Sequence, residues 1–417
     1  MNIIDELSWR GAVNQMTDEE GLRKLTEEKS ISLYCGVDPT GDSMHIGHLI
    51  PFMMLKRFAN AGHHPYVVIG GTGAIGDPSG RKTERQLQTL DKIKANAEKL
   101  KAQFMHLFGD SENITFVNNY DWLSQISLLD FLRDYGKLFS VNIMLSKEVV
   151  ASRLEAGISF TEFSYQILQS IDFEHLFSHN DVQLQIGGAD QWGNITAGID
   201  TIRKMHGSDA KAYGLTIPLM LKSDGTKFGK TAGGAVWLDP EKTSPFEFYQ
   251  FWLNQDDADV VKYLKYFTFL SKEEIDALAE SVEKEPEKRL AQRRLAEEVT
   301  TFVHSPEALK EAQNITEALY HGSIADLSES ELEQAFGKMP TVDVSNEDKD
   351  VVNWLVDSQI YKSKRQARED ITHGAVTING VKVTSLDEIV KPHKNSNGKF
   401  VIVRKGKKKY TLARVHQ

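Results

Sequence analysis

One stretch limits the fold more than any other: Tyr34-Cys-Gly-Val-Asp-Pro-Thr-Gly-Asp-Ser-Met-His45-Ile-Gly-His48-Leu-Ile-Pro51. Ile31, Leu33 and Val37 open it as a buried strand, and Asp38, Pro39 and Gly41 then force a turn. An apolar helix follows, for which Asp42 or Ser43 is the expected cap, accepting a bond from an unpaired backbone N–H. Pro51 favours a start close to Ser43, because its missing N–H costs nothing only in the first turn or two. His45 and His48 then share one face of that first turn, with Gly47 leaving room between them. The free N–H groups and the positive end of the helix dipole point the same way, which suits a polyphosphate. Taken alone, a His-x-x-His pair more often marks two surface histidines, so the rest of the chain has to decide.

The surroundings read as a parallel α/β unit. Asn2 to Arg10 and Gly21 to Glu28 are expected helices, the second opened by a capping box at Thr17-Asp-Glu-Glu. The strand at 31–37 leads to a helix ending near Asn60 and then to a second strand, Tyr66 to Gly71, an order that indicates parallel pairing. Gly71-Thr-Gly73-Ala-Ile-Gly76 matches the dinucleotide fingerprint, which needs a helix opening through it. Asp77-Pro78-Ser79-Gly80 breaks a helix instead, so a nicotinamide dehydrogenase is disfavoured. The same glycines let a ligand approach the backbone and set Asp77 at the carboxyl edge of the strand. Arg81, Lys82 and Arg85 follow beside the proposed phosphate site, although a lone charge run usually starts a solvated helix.

A helix from Asp91 to Phe108 and a strand from Asn113 to Asn118 lead into a region rich in Leu128, Leu129, Phe131, Leu132, Leu138 and Phe139, readable as core or as a dimer face. Beyond Ser159, Tyr165, Gln169 and Asp172 stand at i, i+4 and i+7, one face of a helix whose neighbours Phe160, Phe163, Ile167 and Leu168 imply burial. A buried polar stripe needs partners, and a bound amino acid would supply them. Val182 to Ile186 alternates as a strand and ends at Gly187-Gly188-Ala-Asp190-Gln191, where Asp190 suits a ribose hydroxyl and Gln191 the polar end of a substrate. In Leu221 to Thr231, Lys227 and Lys230 lie three apart near Gly225, Gly229, Gly233 and Gly234, a mobile cationic arm able to close over a polyphosphate.

The pattern from Ser244 to about Tyr320 is helical, with starts at Ser244-Pro245 and Ser271 and a long amphipathic helix from Glu287 to Val303. Residues 323–350, polar and acidic, are expected as a linker. Two short helices (Val351 to Ser358, Ser363 to Thr372), a hairpin turning on Asn379-Gly380 and a last strand pair complete the chain. The net charge is −10, yet Val351 to Gln417 holds 14 Lys and Arg against 5 Asp and Glu, which assigns any nucleic-acid contact to the C-terminus. With no run of about 18 apolar residues and no signal-peptide features at the start, a membrane partner is not expected and the cytoplasm is. Cys35 is the single cysteine, which excludes an internal disulfide and a cysteine-based zinc site.

These strings together resemble the class I aminoacyl-tRNA synthetases, in the form carried by bacterial tyrosyl-tRNA synthetases. Pro39-Thr40-Gly-Asp-Ser-Met-His45-Ile-Gly-His48 is similar to the first class signature, and Lys227-Phe-Gly-Lys230-Thr231 to the second, with Gly229 where many relatives carry serine. Gly-Asp77-Pro-Ser-Gly with its basic sequel and the Tyr165/Gln169/Asp172 helix match the family as well, and the C-terminus resembles an RNA-binding module shared with a small-subunit ribosomal protein. The resemblance implies an α/β fold: a Rossmann-like parallel-sheet catalytic domain (1–243, with an inserted helical, dimer-forming region about 120–160), an α-helical domain (244–322), the linker, and a basic α+β RNA-binding domain (351–417).

It also implies a reaction: ATP and L-tyrosine form tyrosyl-adenylate and pyrophosphate, and the tyrosyl group passes to tRNA(Tyr). On that resemblance Thr40, His45, His48, Lys227 and Lys230, with Arg81 and Lys82, would meet the phosphates. Cys35, Gly36, Asp38, Gly47, Gly188, Asp190, Lys230 and Thr231 would surround ATP. Asp77, Tyr165, Gln169 and Gln191 would hold the amino acid's polar end, and Tyr34 and Asp172 its phenol hydroxyl. Lys364, Arg365, Arg368, Lys382, Lys407, Lys408 and Lys409 would contact RNA. No dedicated metal cage is expected, magnesium arriving with ATP as substrate. A tryptophanyl-type synthetase and a non-catalytic RNA-binding protein on the same scaffold remain the alternatives.

Overall fold

The computed structural model describes residues 1–70, 82–83, 86, 88–109, 113–231, 233–321, 324–394, 398–407 and 409–416. The chain divides into two units, Met1–Asp239 with Asp256–Ala291, and Pro240–Gln255 with Gln292–Gln417. Among the described residues no helix is long and apolar enough to cross a membrane.

The first unit is built on six strands: β1 (Gln15–Met16), β2 (Ser32–Val37), β3 (His64–Ile69), β4 (Thr115–Val117), β5 (Val182–Gly188) and β6 (Tyr213–Ile217). Their spatial order is β1-β6-β5-β2-β3-β4, and every pairing is parallel except β1 with β6. From β2 the chain winds outward through β3 to β4, and from β5 it winds the other way to β6. The winding reverses between β2 and β5, and ligands of open parallel sheets collect beyond the carboxyl ends at such a point. Helices α1 (Ile3–Trp9), α2 (Glu19–Glu28), α3 (Leu49–Asn60) and α4 (Leu90–Phe108) fall in the first half, and α3 buries Phe52, Met53, Leu55 and Phe58. The α2 cap is Asp18, whose side chain accepts the Gly21 N–H at 2.9 Å. Thr17, expected in that role, instead accepts the Gly214 N–H at 3.1 Å beside the sheet.

Four short helices follow β4, namely α5 (Tyr120–Leu123), α6 (Leu128–Asp130), α7 (Val141–Ser146) and α8 (Glu148–Ala151), with a π turn at Phe131–Tyr135. The long helices α9 (Phe160–Asn180) and α10 (Trp192–His206) flank β5, and a small hairpin, β7 (Lys230–Thr231) with β8 (Gly234–Ala235), comes next. While α11 (Pro245–Leu253) falls in the second unit, α12 (Asp257–Phe267) and α13 (Lys272–Lys284) return to the first.

The second unit joins α11, α14 (Leu290–Val303), α15 (Pro306–His321) and α16 (Glu329–Phe336) to a five-stranded sheet ordered β12-β11-β14-β15-β9. Its strands are β9 (Thr341–Ser345), β11 (Val376–Ile378), β12 (Val381–Lys382), β14 (Phe400–Lys405) and β15 (Lys409–His416), while β10 (Lys349–Asp350) pairs separately with β13 (Ile389–Val390). Strand alternation gives the sheet two apolar faces. Val401, Val403, Ala413 and Val415 pack with α17 (Val351–Asp357) and α18 (Lys364–Thr372), whereas Phe400, Ile402 and Leu412 pack with Ile315, Leu332 and Phe336. The stretch expected as a linker therefore holds a helix and a strand. A reciprocal cap between Ser328 and Glu331 starts α16, Leu332 and Phe336 bury its inner face, and β9 runs parallel to β15. The helix expected from Glu287 starts at Leu290, because Pro286–Lys288 forms a 3-10 turn and Arg289 is left-handed at φ 51°. The hairpin turns on Asn379 and Gly380, at φ 49° and 82°, as an Asn-Gly turn between twisted strands requires.

Candidate active site

A cavity of about 330 Å³ opens beyond the carboxyl ends of β2 and β5. Its lining brings together Tyr34, Cys35, Gly36, Asp38, Thr40, His48, Tyr165, Gln169, Asp172, Gly188 and Gln191, drawn from β2 and the turn that follows it, from α9, and from the end of β5 and the turn beyond. The spacing of Tyr165, Gln169 and Asp172 thus turns one face of α9 into a wall of the cavity.

At the inner end Asp172 is held from two sides. Asn119 Nδ2 donates to one carboxylate oxygen at 3.1 Å and Trp122 Nε1 to the other at 2.8 Å. Burial nonetheless pushes the carboxyl up to about 7, against the pull of those two donors. The buried Tyr34 hydroxyl has no partner among the described residues, and burial together with the Asp172 charge pushes its phenol well above the ordinary range. A lone hydroxyl and a carboxylate facing one cavity leave hydrogen-bonding capacity that a ligand hydroxyl would take up. Gln185, in register with Tyr34 across the β2–β5 pairing, adds a buried Oε1 without a partner among the described residues.

Along the wall the amides of Gln169, Gln191 and Asn194 interlock. Gln169 Nε2 donates to Gln191 Oε1 at 3.1 Å and Asn194 Nδ2 to Gln169 Oε1 at 3.1 Å. Cys35 is buried and its thiol is pushed up to about 12, so it stays protonated and offers no nucleophile.

The outer end begins at the two histidines. Leu238 N donates to Met44 O at 2.9 Å and Ile46 N to Val236 O at 3.0 Å, so the chain stays extended through His45. The helical turn therefore starts at Ile46, later than expected, and neither Asp42 nor Ser43 caps it. Asp42 lies 3.7 Å from Lys99 Nζ, and Ser43 Oγ accepts from Gln103 at 3.0 Å. The cap is His45, whose Nδ1 accepts the Gly47 N–H at 3.0 Å, while His48 Nδ1 accepts the His45 N–H at 3.0 Å. With Nδ1 spent on the backbone, Nε2 is the nitrogen left to donate on each ring. The rings lie 4.0 Å apart, and burial with His45 alongside pushes His48 down to about 3, so it works as a neutral donor. Gly47 is required by contact: a Cβ there would lie 2.7 Å from His45 Cε1. Pro51 falls in the first turn of α3, where its missing N–H removes nothing.

The second loop lies against this turn. Gly229, at φ 99°, sits beside Ile46, and Phe228 is buried between Tyr263 (centroids 4.9 Å) and Phe267 (5.2 Å). Lys227 is exposed, the Thr231 hydroxyl donates to Gly234 O at 3.3 Å, and Lys230 is described by its backbone in β7 alone. Lys82 and Asp190 line a second opening, of about 1080 Å³, which shares Tyr165 with the first. Asp77, Arg81 and Lys408 lie outside the described residues, as does the Gly71–Gly76 decoy. In the second unit Lys364, Arg365 and Arg368 are exposed on α18, with Lys382, Lys407 and Lys409 exposed on the hairpins.

Asn119, Trp122, Gln185 and Asn194 were not singled out by the sequence. The available signal was position for Asn119, which follows β4 at a carboxyl edge; Gln185 falls on the polar side of the β5 alternation, and only its burial at 3% exposure sets it apart. Among the described residues no group of three or more His, Cys, Asp or Glu could hold a metal ion.

Comparison with known proteins adds two families and close relatives. The family described as "tRNA synthetases class I (W and Y)" matches residues 26–321, and the "Tyrosine--tRNA ligase SYY-like C-terminal domain" matches residues 331–413. The chain is 71% identical over 416 residues to the tyrosine–tRNA ligase of Limosilactobacillus reuteri, covering all of both chains. It is 70% identical over 416 residues to tyrosine–tRNA ligase 1 of Enterococcus faecalis, again covering all of both. Among solved structures, a C-terminally truncated Aspergillus nidulans mitochondrial tyrosyl-tRNA synthetase aligns with a TM-score of 0.69 at 32% identity, over 76% of this chain and 94% of that one.

Proposed function

The chain belongs to the class I tRNA synthetases (W and Y), and from that premise we propose how its residues divide the work. Its reaction is the activation of L-tyrosine by ATP to tyrosyl-adenylate and pyrophosphate, followed by transfer of the tyrosyl group to the 3′ end of tRNA(Tyr). Relatives at 70–71% identity along the whole chain carry the tyrosine–tRNA ligase name, and neither alternative is favoured.

The tyrosine carboxylate is itself the nucleophile toward the α-phosphate, so the protein has no bond to form. Its tasks are alignment and stabilisation of charge on the departing pyrophosphate. The phenol hydroxyl donates to Asp172 and accepts from Tyr34 at the closed end of the cavity. The buried Tyr34 hydroxyl, without a partner among the described residues and lining the same cavity as that carboxylate, is the observation that carries this assignment. Tyr165, Gln169 and Gln191, with Asp77, hold the ammonium and carboxylate end. Cys35, Gly36, Asp38, Gly47, Gly188 and Asp190 border the nucleoside. Thr40, His45 and His48 donate to the phosphates, and Lys227, Lys230 and Thr231, with Arg81 and Lys82, bring the remaining contacts. ATP enters as its magnesium complex, a substrate rather than a resident cofactor.

The exposed bases of the second unit (Lys364, Arg365, Arg368, Lys382, Lys407 and Lys409, with Lys408) contact tRNA in the same reading. Each phosphate they neutralise would steepen the salt dependence of tRNA binding. We place the reaction in the cytoplasm and read the protein as a homodimer. Leu128 (73% exposed), Leu129 (76%) and Phe160 (71%) give the region around 120–160 an apolar surface, a property of subunit faces. Sedimentation equilibrium checks that state.

Tyrosine-dependent exchange of pyrophosphate into ATP, with tryptophan as the control, tests the reaction. Exchange with tyrosine alone is the expected result; exchange with tryptophan, or with neither, overturns the reading.

A further inference from the structure

One face of α12 touches both elements of the outer end. Asp259, Lys262, Tyr263, Tyr266 and Phe267 recur at the spacing of a single helical face. The Asp259 carboxylate, 2% exposed, accepts the Ser223 N–H at 3.0 and 3.2 Å and the Ser223 hydroxyl at 3.2 Å. Lys262 Nζ donates to Leu221 O and to Asp259 at 3.3 Å. Both partners stand at the root of the Lys227 loop, whose Phe228 is seated on Tyr263 and Phe267. On the other side Tyr266 Oη donates to Ile50 O at 3.1 Å, two residues beyond His48. Two turns further along α3, Arg57 Nη2 donates to the carbonyls of Tyr266 at 2.8 Å and Thr268 at 2.7 Å. Arg10 adds bonds to the carbonyls of Lys265, Thr268 and Leu270, so the carbonyls at the end of α12 are met by two buried cations.

A fastening this dense does more than fill space. A buried carboxylate needs partners or its desolvation is costly, and an apolar residue would fill the position without that demand. Apart from Lys262 on its own helix, the partners of Asp259 are the backbone N–H and the hydroxyl of Ser223 in the loop. Lys227 reaches from an exposed loop, and a cation on a long stem contributes to a reaction only as far as its base is fixed.

We propose that Asp259 is a positioning residue for adenylate formation: through Ser223 it fixes the root of the Lys227 loop relative to the His45–His48 turn. The inference rests on the reading of Lys227 as a phosphate-side group. It predicts an effect in the chemical step and none in the pocket for tyrosine, whose lining contains no residue of α12.

The test measures single-turnover adenylate formation and tyrosine affinity on the full chain for Asp259→Asn, Ser223→Ala and Lys227→Ala, with melting curves for each. Asp259→Asn keeps the size and one acceptor, and its adenylation rate is expected to fall about 10- to 100-fold with tyrosine affinity unchanged. Ser223→Ala, at an exposed residue, removes one of the three bonds and should cost about threefold, which keeps the proposal testable if the first variant folds poorly. In a Lys227→Ala background, Asp259→Asn should cost nothing further, within about twofold, because it acts through that lysine. A loss that adds in full to Lys227→Ala, or a rate that falls only in step with tyrosine affinity and melting temperature, overturns the proposal. A wild-type rate in Lys227→Ala alone removes the reading of the lysine, and that failure is recognised in the single variant before the pair is made.

Discussion

The two ends of the cleft follow opposite rules. At the inner end every polar group is buried before a ligand arrives: Asp172 is clamped between Asn119 and Trp122, and the Tyr34 hydroxyl waits without a partner among the described residues. At the outer end the charge stays in solvent on Lys227, and the histidine nearest the inner cavity is held neutral. Recognition of a hydroxyl rests on unsatisfied groups whose desolvation is complete at folding. Stabilisation of a leaving group rests on donors that carry little cost in the free protein. The largest effect should therefore come from the outer end. Lys227→Ala is expected to lower the rate of activation about 100- to 1000-fold while leaving the KM for tyrosine in place. A matching rise in the tyrosine KM would erase the contrast.

The inner end predicts the reverse split. Asp172→Asn replaces a charged acceptor by a neutral amide, and kcat/KM for tyrosine should fall about 100-fold with the KM for ATP unchanged. Steady-state exchange kinetics with each substrate varied in turn decide this. The comparison breaks if ATP suffers as much as tyrosine.

A pH series sharpens it. In the free protein burial pushes Asp172 up to about 7, and a phenol hydroxyl donating to the carboxylate favours its charged form. Tyrosine binding then lowers that pKa and releases a proton wherever Asp172 starts protonated. The affinity should be flat above pH 7 and weaken below it, by at most about tenfold per unit. Equilibrium dialysis from pH 5.5 to 8.5 checks the slope, and Asp172→Asn should be flat throughout. A slope that persists in the variant would assign the titration to another group.

How much of this was legible in the sequence depends on where the partners lie. The turn from β2 into α3 and the stripe on α9 are local patterns, carried by residues within a few positions of one another. The cap at His45 escaped because pairing with Val236 and Leu238, almost two hundred residues away, delays the helix past Asp42 and Ser43. The donors to Asp172 come from Asn119 and Trp122, some fifty residues earlier, and only the lateral order β2-β3-β4 brings them close. Residues 323–350 looked like a linker because apolar residues are sparse there, yet Leu332, Phe336 and Val344 suffice once a sheet stands ready to bury them. The face of α12 reads as ordinary amphipathic helix until its partners are known.

Among the residues lining the inner cavity the smallest effect is expected at Tyr34, and it tests the inner end most finely. Tyr34→Phe removes a neutral hydroxyl and keeps the ring, with its contact to Phe173 at 5.3 Å between centroids. In the free protein that hydroxyl has no described partner to lose, so the melting temperature should not fall. In the complex one neutral hydrogen bond disappears, and kcat/KM for tyrosine should drop about fivefold, well short of the loss at Asp172. Because both groups would meet the same phenol hydroxyl, the double variant Tyr34→Phe/Asp172→Asn should cost less than the two single losses combined. Strict additivity would place the two side chains on different atoms of the ligand. A Tyr34→Phe loss as large as that of Asp172→Asn would shift discrimination at this end from the charge of the acceptor to the closure of the pocket around it.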